Sequence, residues 1–288
     1  MNGPLDLGCT FNNIVIVDCL ADDELQTAKR LHDDLRDMQQ PKRFASIGYV
    51  KVKSRADFLD VLGALMPLCE QRCYPILHIE AHGNELNGLE LANGSSLITW
   101  HELATLTRHL NKASQNNLSI VLSVCEGLFF AIEMKWNEPS PFNFLVGATT
   151  KVSARESAEA IHVFYSVLAE TMSLDRVREK LPRNFTIYQA ALHFIENLGE
   201  QYRLHMVGTG GEKMRERLLS NMTKYEIANQ YLGLKKLRQL ARKVAQPNLE
   251  RYVEQSKAFF HGEIPIPYDT FLEHVREIKI SSSAKGSN

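Results

Sequence analysis

Long apolar runs are missing from this 288-residue chain: no stretch of 18 uncharged apolar residues occurs, so no membrane-spanning helix is expected. An excess of one charge is missing too, with 33 Lys and Arg against 34 Asp and Glu and a net charge of −1, which argues against a general polyanion binder. Cysteine is scarce. The five present, Cys9, Cys19, Cys69, Cys73 and Cys125, are odd in number and irregularly spaced, so no disulfide framework is expected and reduced thiols in a cytoplasmic setting are. Met1 to Asn13 shows no basic segment followed by an apolar one, so no secretory leader is expected. Internal repeats and low-complexity tracts are absent as well.

What is present is an alternation of strand and helix signals. Asn13 to Cys19 is a short β-branched run, and Asp22 to Gln39 carries Leu25, Ala28, Leu31 and Leu35 at helical spacing. Ala45 to Val52 then reads as a strand, Arg55 to Glu70 as a helix and Pro75 to Ala81 as a buried strand. Gly88 to Ala92 and Ser96 to Ile98 flank Asn93-Gly94, a hairpin signal. Trp100 to Ala113 is expected to be helical with Thr99 as cap, Leu118 to Val124 and Phe144 to Ala148 to be strands, and Ser153 to cap a helix reaching about Thr171. Tyr202 to Val207 is the last strand candidate. Repeated βα units predict an α/β fold with a mainly parallel sheet between helical layers.

Beyond Gly210 the strand signals stop. Glu212 to Leu232 and Leu234 to Phe260 read as helices, Glu263 to Asp269 as a linker, and Phe271 to Ile278 as a short helix before a frayed tail. The expected organisation is a domain over 1–209 and a helical module over 210–288. Gly208 to Gly211 reads as the junction between them, since it lacks the pattern of a phosphate-binding loop. The basic run Gly233 to Lys243 reads as a solvated helix face, and nucleic acid is not directly implied.

Two strand ends carry chemistry. His82-Gly83 follows one apolar run and Cys125-Glu126-Gly127 follows another, 43 residues later. In open α/β sheets the carboxyl ends of the strands line the ligand crevice. A thiol there, with an imidazole to raise its thiolate fraction, is a nucleophile, and a glycine beside the histidine lets a substrate backbone approach. The spacing of Cys69, Cys73, His78 and His82 superficially resembles a zinc site, but its central gap is too short for a finger, and no metal or cofactor is expected. His78 shares a strand face with His82 and is a candidate supporting residue.

Residues 13 to 207 resemble the CHAT branch of the caspase-like cysteine peptidases, through Ile79-Glu80-Ala81-His82-Gly83, Leu89-Glu90-Leu91-Ala92, Leu97-Ile98-Thr99, Leu122-Ser123-Val124-Cys125-Glu126-Gly127, Val146-Gly147-Ala148 and Val152-Ser153. The resemblance implies a caspase-like α/β/α sandwich with a C-terminal helical appendage. It implies Cys125 as nucleophile, His82 for acid-base work, and the amides of Gly83 and Cys125 as oxyanion donors. It further implies a thiol protease acting on a protein substrate in a bacterial defence or cell-death system. A gasdermin-like pore former is one such substrate, and an activating sensor is an expected partner.

Relatives that cut after Lys or Arg carry an acid two residues before the nucleophile, where this chain has Ser123. Asp18, Ser123 and Glu126 are the candidate pocket residues. Without a placed acid, a neutral apolar residue before the cut bond is expected. Two other readings stay open. One is a cysteine hydrolase or amidotransferase-like enzyme whose base is a downstream histidine, His162, His193 or His205; the other is a non-catalytic interaction protein with the same fold.

Overall fold

The computed structural model describes residues 10–38, 44–92, 94, 96–205, 208–224, 233–245 and 248–277. Strands β1 (Asn13–Asp18), β3 (Pro75–Glu80), β7 (Ser119–Ser123) and β8 (Phe144–Ala148) are almost wholly buried, as central parallel strands covered on both faces must be. With β2 (Ser46–Lys51) and β9 (Phe185–Gln189) they form a sheet of order β2-β1-β3-β7-β8-β9, parallel throughout except that β9 runs antiparallel to β8. Alternate residues Ile14, Ile16, Ile76, Val121, Phe144 and Val146 share one core with α1 (Thr27–Met38), α4 (Ala154–Thr171) and α5 (Leu174–Lys180). The intervening Leu77, Ile79, Ile120 and Leu122 are buried too, and α2 (Arg55–Glu70) packs against α3 (Trp100–Ala113). The fold is α/β with a mostly parallel sheet, compatible with an α/β/α sandwich.

Local chemistry sets the helix starts. Ser54 and Ser153 each accept the N–H of the third helical residue, and Asp57 and Glu156 reach back to the cap N–H. Thr99 caps α3 on the Glu102 N–H, as expected. The predicted hairpin pairs β5 (Gly88–Leu91) with β6 (Ser96–Ile98), while Asn93 of its turn lies outside the described residues. A third strand, β4 (His82–Asn84), pairs with β5, so His82 opens a strand of this small sheet.

Several expectations are corrected. α1 begins at Thr27, and Leu25 is exposed, because the Ala21 N–H is taken by the Glu24 carboxylate at 2.6 Å in a turn that precedes the helix. Tyr202 lies inside α6 (Ala190–His205), where Phe194, Leu198 and Tyr202 recur with helical period; Met206 and Val207 lie outside the described residues. The last strand is β9. Gly208 to Gly211 form the first turn of α7 (Gly208–Lys224), and Gly210 serves close approach: a Cβ there would sit 2.3 Å from the Leu204 carbonyl oxygen. The expected single helix Leu234 to Phe260 is two, α8 (Leu234–Val244) and α9 (Leu249–Phe259), since Pro247 lacks a donor and the Asn248 side chain caps α9 on the Glu250 N–H at 2.8 Å. Residues 225–232 of the expected helix before them lie outside the described residues.

The chain forms two compact units, with the first ending earlier than the expected boundary at 209. One comprises Met1–Ala190 with Ala258–Glu263, the other Ala191–Lys257 with Ile264–Asn288. In the second, the Phe271 ring stacks on Tyr252 at 4.8 Å and meets Tyr202 edge-on at 5.2 Å, and the buried Tyr252 hydroxyl donates to the Ile266 carbonyl at 2.7 Å. α10 (Tyr268–Glu277) carries Phe271, close to the short helix expected there.

Candidate active site

The parallel register of β3 and β7 brings the two strand ends level. Glu80 pairs with Ser123, and the Ala81 N–H reaches the Ser123 carbonyl at 3.5 Å, so His82 and Cys125, two residues further along each chain, emerge side by side. Gly83 is held against the same edge: a Cβ on it would lie 2.4 Å from the Gly88 carbonyl oxygen and 2.7 Å from Val124 Cγ1. Only glycine lets the two segments close this far. His82 and Cys125 line one cleft of about 490 Å³, together with Glu24, Glu80, Ser123 and the first turn of α4.

After Cys125 the chain turns sharply. Glu126 has φ 58°, a left-handed conformation that costs a non-glycine residue about 1–3 kcal/mol and persists only where surrounding bonds enforce it. Those bonds are Glu126 N–H to Thr150 O at 3.1 Å and Gly127 N–H to Val124 O at 3.1 Å. The Cys125 N–H has no acceptor among the described residues. The thiol itself donates to Val152 O at 3.3 Å, a bond the protonated sulfur can make and a thiolate cannot. The first turn of α4, whose N-terminal end favours negative charge, lines the same cleft.

His82 is exposed and its Nε2 contacts the Glu24 carboxylate. That bond, with the Ala21 N–H on the same carboxyl group, holds Glu24 below its ordinary pKa. In the tautomer that donates Nε2–H to this carboxylate, Nδ1 carries the lone pair.

The pocket candidates divide. Ser123 lines the cleft and its hydroxyl shares a 2.8 Å hydrogen bond with Ser157. Asp18 and Glu126 are not among the lining residues. Asp18 is buried, accepting from Leu20 N–H at 3.0 Å, the Tyr49 hydroxyl at 2.7 Å and Lys51 Nζ at 3.1 Å, and Glu126 accepts the Glu85 N–H at 3.3 Å. His78 is fully buried, with Nδ1 3.3 Å from the Tyr165 hydroxyl. Of the downstream histidines, His162 lines a neighbouring recess, His193 belongs to the second unit, and the side chain of His205 lies outside the described residues. Among the described residues no group of three or more His, Cys, Asp or Glu is gathered as a metal site, and no helix is long and apolar enough to cross a membrane.

Sequence reasoning missed Glu24 and Glu80. The run Asp22-Asp23-Glu24 reads as the acidic start of a helix, so its link to His82 is invisible before folding. Glu80 left a signal, since it and His78 are ionisable residues inside a strand whose other members are apolar. What the fold and site define is an α/β protein with a cysteine and a histidine sharing one cleft at the carboxyl edge of a parallel sheet. Neither a protein-family model nor a curated protein matches the chain.

Proposed function

We propose that the protein is a cysteine peptidase of caspase-like type, with Cys125 as nucleophile and His82 as acid and base. In this reading the Cys125 proton passes to His82, and the thiolate adds to the carbonyl carbon of the scissile peptide bond. The carbonyl π pair moves onto oxygen, where the Cys125 N–H, with that of Gly83, stabilises it. Collapse of the tetrahedral adduct breaks the C–N bond, and protonated His82 gives its proton to the leaving amine. Water, deprotonated by His82, then adds to the thioester; the C–S bond breaks and a carboxylic acid and the free thiol result. Glu24 orients the imidazole and fixes its tautomer.

The observation that carries this reading is the β3–β7 register that brings His82 and Cys125 into one cleft, with Glu24 on Nε2 of the imidazole. The family resemblance supports the finer statement, a regulated protease cutting a protein substrate in a defence or cell-death setting. Incubation with a peptide library tests the chemistry: cleavage should vanish in Cys125→Ala and in His82→Ala while both variants keep their fold. Cleavage retained in folded Cys125→Ala overturns the reading. Cleavage retained in His82→Ala but lost in His162→Ala would favour the downstream-histidine enzyme instead.

A further inference from the structure

Behind the nucleophile, three side chains stand in a row across β1, β3 and β7: Asp18 is level with Glu80, and Glu80 with Ser123. Two of them are already satisfied. Asp18 holds Lys51, Tyr49 and the Leu20 amide, and Ser123 holds Ser157. Glu80 differs. It is 9% exposed, it accepts the Thr27 hydroxyl, and no Lys or Arg among the described residues pairs with it. His78 Nε2, 3.9 Å from Glu80 Oε2, is too distant for a hydrogen bond and has no partner of its own.

Beside a carboxyl group that is mostly buried and pairs with no Lys or Arg among the described residues, an arriving cation gains more than at an open surface. The cleft lining carries three carboxyl groups, Asp23, Glu24 and Glu80, and neither Lys nor Arg. Glu80, Thr27 and Ser123 also line a second recess of about 470 Å³, whose Leu31 and Ile161 offer apolar walls to a methylene chain and whose remaining charged lining is Asp34 and Glu159 against Arg30. Glu80 is level with Ser123, and Ser123 lies two strand residues, about 7 Å, behind Cys125. An extended Lys or Arg side chain spans that gap.

We propose that Glu80 selects a lysine or arginine as the residue immediately before the bond cut at Cys125, an inference that rests on the peptidase reading above. It reverses the neutral, apolar preference expected from the sequence, because the acid missing at position 123 stands beside it on the adjacent strand.

The test uses peptidyl acyloxymethyl ketones that differ only in the residue next to the warhead, Arg, Lys, Leu or Asp, with Cys125 modification followed by intact mass. The full-length protein should be alkylated by the Arg and Lys reagents at least about tenfold faster than by the Leu reagent, as a desolvated charge pair allows. In Glu80→Gln, which keeps size and an acceptor for Thr27, that ratio should fall to near one. A Leu reagent as fast as the Arg reagent on the unmodified protein overturns the proposal, as does an Arg preference that survives Glu80→Gln; the first needs no variant to fold. Iodoacetamide separates the two levels of the argument. If it alkylates Cys125 while no peptidyl reagent does, the peptidase reading fails and the proposal falls with it.

Discussion

The two ends of the central strands carry buried polar clusters of opposite kind. At the amino end of β7 and β8 the groups are neutral and saturated. Asn111 Nδ2 donates to Asn116 Oδ1, Ser140 O and Ser140 Oγ at 3.0–3.2 Å, its Oδ1 accepts the Leu118 N–H at 3.1 Å, and Asn143 Nδ2 donates to Asn116 O at 2.8 Å. The segment Ala258–Glu263 joins this cluster, with Ser140 N–H to Phe259 O at 2.9 Å and His261 Nε2–H to Ser140 O at 2.8 Å. At the carboxyl end of β3 and β7 the groups are incompletely paired among the described residues: the Cys125 amide has no acceptor, the Glu80 carboxyl group has no Lys or Arg beside it, and Glu126 is left-handed. A saturated network rigidifies, whereas an unsaturated one keeps binding capacity for something that arrives. Changes at the carboxyl end should therefore alter turnover, and changes at the amino end stability.

The largest expected effect is at Cys125. Cys125→Ala should lower peptide turnover by at least about 10³-fold, the loss expected of a nucleophile, with a melting temperature close to that of the parent, because among the described residues the half-buried thiol hydrogen-bonds to Val152 O alone. Calorimetry alongside the cleavage assay checks both halves. A large fall in melting temperature would make Cys125 part of the scaffold and break the contrast.

Gly83→Ala comes next. The new Cβ would meet the Gly88 carbonyl oxygen at 2.4 Å and Val124 Cγ1 at 2.7 Å, so β4 must shift away from the end of β7 and carry His82 with it. A misplacement of about 1 Å is worth about 100-fold in rate. Adding Val124→Ala removes one of the two clashes, and kcat/KM of the double variant should recover in part; no recovery would mean the Gly88 contact alone dictates the position.

Glu24→Gln should cost less, about tenfold in kcat/KM, since His82 keeps a neutral partner, and Glu24→Asp should fall between. The Glu24 carboxyl sits below its ordinary value of 4.5 because of His82 and the Ala21 amide. With the folded pKa lowered, its contribution to stability is complete above pH 4.5 and is lost as pH falls through the folded value. Acid unfolding of Glu24→Gln followed by circular dichroism should lack that component.

The same contrast explains how far the sequence could be read. Central strands carry apolar runs such as Ile14 to Val17 and Ile120 to Leu122, because parallel strands are covered on both faces, and His82 and Cys125 stand out as polar residues just after the ends of β3 and β7. β9 is a short strand at the sheet edge, where only Phe185 and Ile187 are buried, so its signal was weaker than the aromatic spacing around Tyr202. Glu24 and Glu80 acquire meaning only through partners 58 and 53 residues away, at His82 and Thr27. Likewise Asn111, Asn116, Ser140 and Asn143 read singly as helix-end and loop residues; their network exists only once β7 and β8 are paired.

Asn111→Ala is the counterpart at the amino end, with the smallest expected effect on turnover. It removes the acceptor of the buried Leu118 N–H, leaving that group without a partner, and takes one donor each from Ser140 O, Ser140 Oγ and Asn116 Oδ1, which keep bonds to His261 and to each other. The orphaned N–H costs about 1–3 kcal/mol and each lost hydrogen bond about 1 kcal/mol, and water entering the vacated space recovers part, so a loss of about 3 kcal/mol is expected. Leu118 leads directly into β7, at the opposite end of the strand from Ser123 and Cys125. The folded fraction should therefore cleave within about twofold of the parent rate, since a cooperative native state that still forms keeps its cleft geometry. The Leu118 amide should exchange with deuterium much faster than in the parent, and the denaturation midpoint should drop. If turnover of the folded variant fell as far as in Gly83→Ala, the amino-end network would be setting the cleft geometry through β7, and the division between the two ends of the sheet would be lost.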